Sequence, residues 1–147
     1  MKKQLDPFHT QIVCNHLKFK EDFLNIIQVK KQFEFLLDRI RINPIPITKE
    51  TEKLFKYLDT QQIFYKETLR ENEHKKTGEK EIVLSSVEIL QYNCEVSYSQ
   101  YKEITLDNNK RKKFKRITYT REDREIYGDT IPNEVQVLGK ECFENQE

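Results

Sequence analysis

Apolar positions recur at helical spacing through the first forty residues and at a spacing nearer two after residue 60. Asp6-Pro7 opens the first periodic run: an aspartate can accept from the unpaired N–H groups of a first turn, and proline, having no N–H, suits the first helical position. Ile12, Val13 and Leu17 mark one face of this run. A second run carries Phe23, Ile26, Ile27, Phe33, Leu36, Leu37 and Ile40, with Glu21 and Asp22 near its positive N-terminal end. The pattern predicts helices over about 7–18 and 21–39. Ile42-Asn43-Pro44-Ile45-Pro46-Ile47 cannot continue them, because each proline removes a donor and pushes its predecessor to extended geometry. Thr48 is positioned to cap a short helix over about 49–58 with Leu54, Phe55 and Leu58 inward.

Gln61–Tyr65 and Ile82–Val96 are rich in β-branched and aromatic residues and predict two strand regions. The almost wholly polar segment Glu67–Glu81, with Gly78 near its end, reads as a mobile loop between them. A third strand is expected at about 114–119, followed by Thr120-Arg121-Glu122-Asp123, a capping-box variant, and by Gly128 as a stop, which gives a short helix at 121–127. Nothing repeats inside residues 1–127 at a period of roughly 20–50 residues, so the body is expected to be one mixed α+β unit.

The chain has 147 residues, of which 35% are charged and 36% hydrophobic, with Lys+Arg at 26 against Asp+Glu at 25. That is one domain with a thin core, and a formal charge of +1 gives no far-field argument for nucleic acid or an anionic membrane. Apolar runs never exceed three residues, which predicts no membrane span and no signal segment. Three separated cysteines (Cys14, Cys94, Cys142) and the lack of glycosylation sequons fit a reducing compartment; a cytoplasmic location is expected, with nuclear or surface-associated placement open.

Three glycines (Gly78, Gly128, Gly139), none in a phosphate-cradling arrangement, exclude both the dinucleotide fingerprint and the P-loop, and no cofactor is expected. His9, Cys14 and His16 lack the further ligands a zinc site needs, so Cys14 reads as a buried helix residue and the histidines as surface ones. No acid/base pair is recognisable by spacing, and a non-catalytic protein is expected. Lys110, Arg111, Lys112, Lys113, Lys115 and Arg116 form the strongest local charge feature. It reads either as an import or nucleic-acid patch or as a solvated run whose cations discourage edge pairing, and with Glu122, Asp123 and Glu125 nearby the second is favoured.

The tail Ile131-Pro132-Asn133-Glu134-Val135-Gln136-Val137-Leu138-Gly139-Lys140-Glu141-Cys142-Phe143 resembles the opening of a BspA-like leucine-rich repeat. Tyr119-Thr120-x-Glu122-Asp123-Arg124-x-x-Tyr127-Gly128, the Ile42–Pro46 connector and Val96-Ser97-Tyr98-Ser99-x-Tyr101 are similar to the segment that precedes the repeats in BspA-like families of amoeboid protozoa. The family's repeats place a cysteine three residues after the phenylalanine, where this chain has Gln146. The resemblance implies an α+β cap domain over 1–130, a helical hairpin plus a small sheet, leading into an incomplete first repeat over 131–147. Either a truncated relative or a fragment of a longer chain fits that arrangement. On their own chemistry, Ile131 and Val135 point into a core, Gly139 permits a tight bend and Phe143 fills the next layer.

A second resemblance lies at the N-terminus. Leu5-Asp6-Pro7, Ile12-Val13, Leu17, Glu21-Asp22-Phe23, Ile27, Val29-Lys30-Lys31 and Phe33 are similar to an F-box, with Leu-Asp-Pro where the family has Leu-Pro. It implies that helices over about 5–40 dock on a Skp1-type adaptor in ubiquitin-ligase assembly through Leu17, Phe23 and Val29. The plain cap-helix reading, an apolar stripe buried as core, stands beside it.

The expected function is therefore a protein-interaction module, the cap of a BspA-like leucine-rich repeat protein, with the F-box-like adaptor as the alternative. The edge formed by Ile131, Val135, Val137, Leu138 and Phe143 must pair with another chain or lie against the cap. Replacing Val135 and Phe143 together by Asp should abolish self-association or else unfold only the tail; light scattering and limited proteolysis check this, and wild-type behaviour in both would deny the tail any packing role.

Overall fold

Five helices and four strands follow one another in the computed structural model, which describes residues 6–29, 34–65 and 80–143. They are α1 (Pro7–Cys14), α2 (Lys20–Val29), α3 (Glu34–Leu37), β1 (Thr60–Ile63), β2 (Ile89–Ser97), α4 (Tyr98–Leu106), β3 (Arg111–Tyr119), α5 (Arg121–Tyr127) and β4 (Val137–Leu138). The class is α+β, as expected. The strands form one sheet in the order β1-β2-β3-β4, every neighbouring pair parallel. An isolated parallel bridge, Ile42 to Thr60, extends the series upstream.

This order places each strand beside the next without any fixed sequence period. Ile42 lies beside Thr60, Thr60 beside Ile89, Ile89 beside Arg111 and Thr118 beside Val137, so successive rungs are about 18 to 29 residues apart. Irregular spacing hides such a recurrence from a search for one fixed period.

Asp6 caps α1 through a 2.9 Å bond from the His9 N–H, with Pro7 in the first turn. The helix stops at Cys14, short of the expected residue 18; the chain turns there and Leu17 packs on the core instead. Of the helix expected over 21–39, α2 and α3 are helical, 30–33 lie outside the described residues, and the last helical residue is Leu37. The helix expected at 49–58 is absent, and turns take its place. Thr51 Oγ1 accepts from Thr48 N–H at 2.8 Å and donates to the Pro46 carbonyl at 2.8 Å, so two buried threonines satisfy the backbone locally in competition with a helical ladder. Phe55 and Leu58 are nevertheless buried. The expected strand at 82–96 begins only at Ile89, and most of the expected loop at 67–81 lies outside the described residues.

The main core gathers Cys14 and Phe23 from the helices, Ile45 and Ile47 from the connector, Phe55 from the turns that follow it, and Ile63, Leu90, Tyr92 and Val96 from the sheet. Asn43, fully buried, pins the connector to β1: its side chain accepts from Gln62 N–H at 2.7 Å and donates to the Ile45 and Gln62 carbonyls. A second cluster, Tyr98, Ile117, Tyr119 and Cys142, lies under α5 and the tail. Aromatic rings join the two clusters, Tyr92 stacking on Phe114 at 5.0 Å, Phe114 meeting Tyr101 edge-on at 5.1 Å, and Tyr101 lying 5.9 Å from Tyr98.

Helix α4, which sequence periodicity did not reveal, starts at a full capping box of Ser97 and Gln100. Asp123 ties it to α5. One carboxylate oxygen accepts from Ser99 N–H at 2.8 Å and from the Ser99 hydroxyl; the other accepts from Thr120 N–H and Thr120 Oγ1, both at 2.8 Å, and from Tyr98 N–H at 3.3 Å. The carboxylate thus serves the first turn of α4 and the N-cap of α5 together.

Burial pushes the Asp123 pKa up, but the hydrogen bonds from Ser99 and Thr120 outweigh it and hold the carboxyl below its ordinary value. A carboxyl lowered in the folded state stabilises above the ordinary carboxylate range, near pH ~4, and loses that contribution as pH falls through the folded value. Asp123→Ala should cost about 2–4 kcal/mol in urea unfolding at pH 7 by stranding buried donors. Asp123→Asn should flatten the acid-side loss of stability relative to wild type, and an unchanged acid limb would refute the assignment.

Candidate functional site

Strand alternation gives the sheet a buried face and an outward face. Leu90, Tyr92 and Val96 of β2 point into the core, leaving Ile89, Gln91, Asn93 and Glu95 on the outer side. Gln62, Gln91 and Lys113 form one row across three strands, and Thr60, Ile89 and Arg111 the row before it. The side-chain amides are linked: Gln91 Nε2 donates to Asn93 Oδ1 at 3.2 Å, Asn93 Nδ2 to Gln62 Oε1, and Gln62 Nε2 to the Asn43 carbonyl at 3.0 Å. Beside Gln62 opens a cavity of about 420 Å³ lined by Gln11, Asn15, Arg39, Arg41 and Pro44 among others.

The structure divides the basic run of 110–116 in two. Lys110 Nζ donates to the Leu84 and Ser85 carbonyls at 2.7 and 2.9 Å, and Lys112 Nζ to the Ile104 carbonyl at 2.5 Å and the Asp107 carbonyl. The Lys112 side chain is only 8% exposed and satisfies the carbonyl end of α4, so neither lysine belongs to a solvated patch. Arg111, Lys113, Lys115 and Arg116 are exposed, and among the described residues none has an ion-pair partner. The register between β2 and β3 slips between Tyr92 and Glu95, which leaves Lys115 and Arg116 consecutively exposed.

β3 is nine residues long, but β4 pairs only with Thr118 and Tyr119. Among the described residues no backbone group bonds Arg111–Arg116 from that side; the nearest is Gln136 N–H, which donates to the Ile117 carbonyl at 2.9 Å. Alternate main-chain donors and acceptors of 111–116 therefore face an open edge.

The tail lies against the body. Cys142 is buried, Val135 and Phe143 are partly buried on the second cluster, and Arg124 holds the segment through the Cys142 carbonyl at 3.1 Å and the Phe143 ring at 5.0 Å. A Cβ at Gly139 would sit 3.2 Å from the Tyr119 carbonyl that its own N–H bonds at 2.8 Å, so close approach is why glycine stands there. Ile131, expected inside, is exposed, because it lies in irregular chain just before the tight turn closed by the Val135 N–H on the Pro132 carbonyl and not on a strand that faces the core; Leu138 is exposed as well.

Of the residues expected to meet an adaptor, Phe23 is wholly buried against Phe55, ring centroids 5.5 Å apart, and cannot reach a partner. Leu17 packs on the main core, and the Val29 side chain lies outside the described residues. Phe8, Ile12, Val13, Phe19, Leu24 and Phe35 are exposed apolar residues of this region, which a buried-stripe reading passes over. Burial pushes the Cys14 and Cys142 thiols up, away from the reactive thiolate. Among the described residues no group of three or more His, Cys, Asp or Glu could hold a metal, and no helix is long and apolar enough to cross a membrane. Comparison with protein-family models, with curated proteins and with solved structures finds no match.

The split within the basic run is measurable. Lys112→Ala should cost about 1–3 kcal/mol in urea unfolding by leaving α4 carbonyls without their donor, whereas Lys113→Ala should stay within about 0.5 kcal/mol of wild type. Equal effects would show that the two lysines play the same role.

Proposed function

We propose that this chain is a non-catalytic protein-interaction module of leucine-rich-repeat type, in which the outer face of a stack of parallel strands is presented to a partner. The observation that carries the reading is the sheet order: every strand lies beside its successor in sequence and runs the same way. Such an order is how solenoid proteins build extended binding surfaces, and a β-strand followed by a short helix, as in β2-α4 and β3-α5, is the unit of a leucine-rich repeat. The helices α1–α3 then act as the cap, since Cys14, Phe23 and Leu37 share one core with β1 and β2.

A second reading, an F-box-like adaptor, draws support from the exposed Phe8, Ile12, Phe19 and Leu24 and is carried by those residues rather than by Phe23. The proposed setting for either is inside the cell, where Cys14, Cys94 and Cys142 remain thiols.

A photocrosslinking amino acid at Gln91 or Lys113, compared with one at Glu103 on α4, tests the module reading. Protein adducts should form from the sheet face and not from the helix; adducts only from Glu103 would defeat it. Size exclusion with light scattering, alone and with a recombinant Skp1-type adaptor, should show no complex. A stable 1:1 complex weakened by Ile12→Asp would replace the module with the adaptor.

A further inference from the structure

We propose that the open edge of β3 over Arg111–Arg116 receives an acidic, extended peptide segment as an added strand. The inference rests on the module reading and names the partner's chemistry and place. Two independent features meet at one location. The first is main-chain: among the described residues β3 presents an unpaired edge along most of its length, because β4 covers only Thr118 and Tyr119. An added strand there would continue the line of β4 and complete the hydrogen bonding of β3. The second is electrostatic: Arg111, Lys113 and Lys115 stand outward at alternate positions with Arg116 beside them, and none is neutralised among the described residues. Side chains of an added strand also alternate, so carboxylates at every second residue would fall opposite these cations.

The same charges choose among occupants. A second copy pairing β3 to β3 would set arginines and lysines against one another, so self-association through this edge is disfavoured. Single-stranded nucleic acid needs exposed rings for its bases, and the aromatic residues of β2 and β3 point the other way: Tyr92 stacks on Phe114, and Tyr119 is buried. Glu95, the outward acid of β2, is engaged by Thr118 Oγ1 at 2.7 Å and sits beside Arg116 at the far end of the run, and the β2 residues in register with Arg111 and Lys113 are the uncharged Ile89 and Gln91. Beyond the edge strand, Gln91, Asn93 and Gln62 offer amide groups to a polar side chain that reaches inward.

Fluorescence polarisation with a labelled twelve-residue peptide of alternating Glu and Thr tests the idea, with a Lys-Thr peptide and a dT12 oligonucleotide as comparators. The acidic peptide should bind best. Binding should fall about ten-fold or more for Lys113→Glu with Lys115→Glu, less for the double Gln variant, and hardly at all for Lys56→Glu with Lys140→Glu, exposed lysines elsewhere. Hydrogen exchange should show the peptide slowing amides within 111–116. Binding that ignores the reversal, leaves those amides unprotected or favours the oligonucleotide overturns the proposal. If the peptide fails while crosslinks from Gln91 and Lys113 still reach a protein, the acidic strand is wrong and the module stands; if both fail, the module falls with it.

Discussion

The Asp123 carboxylate holds the second half of the molecule in its arrangement. It is 1% exposed and is shared between the first turn of α4 and the N-cap of α5, helices that begin directly at the ends of β2 and β3. A strand that passes into a helix without a linker must turn sharply, and the unpaired N–H groups of that turn need acceptors. Ser97 and Thr120 supply part of the answer within their own capping boxes, but Asp123 serves both turns with one side chain. The relative position of two successive strand-to-helix corners is thereby fixed, and with it the placement of β2 beside β3.

Packing propagates from that point in two directions. Tyr98, the first residue of α4, touches Tyr119 at the end of β3 and Tyr127 at the end of α5, while Tyr119 OH donates to the Gly128 carbonyl at 2.8 Å. Gly128 has φ +93°, a left-handed geometry that lets α5 stop and release the chain toward β4. In the other direction the rings of Tyr101, Phe114 and Tyr92 carry contact into the main core. A chain with few aliphatic residues thus spans two small clusters with aromatic area.

Local signals were legible in sequence and long-range ones were not. Asp6-Pro7 and Thr120-x-x-Asp123 gave α1 and α5 their starts because a cap acts within four residues. The β3 strand and the extended 42–47 connector also followed from residue type. Helix α4 escaped because Tyr98–Leu106 has one buried residue and no regular apolar stripe; its signal was the Ser97-x-x-Gln100 capping box. The Thr48 helix failed because a capping residue says nothing about whether a neighbouring threonine will bond the backbone instead. The side-by-side order of the strands stayed hidden because the spacing between them varies. Phe23 is buried as the helical stripe implies, whereas Ile131 left its expected environment, because an apolar pattern marks candidates for burial and tertiary contacts decide which of them is covered.

The candidate site illustrates the gap between composition and placement most directly. Six cations within seven residues read as one patch, yet a strand sends alternate side chains to opposite sides. Lys112 goes inward to the carbonyl end of α4, and Lys110, at the entry to β3, reaches the Leu84 and Ser85 carbonyls; the remaining four stay exposed along an edge that no described residue pairs. Lysine and arginine on an open edge ordinarily serve to repel a further strand. Repulsion of that kind is selective by sign: it opposes pairing with the same edge of a second copy and with any basic strand, while leaving the hydrogen-bonding row accessible to an acidic one. The charge that keeps the edge from aggregating is therefore also the charge that would define its partner.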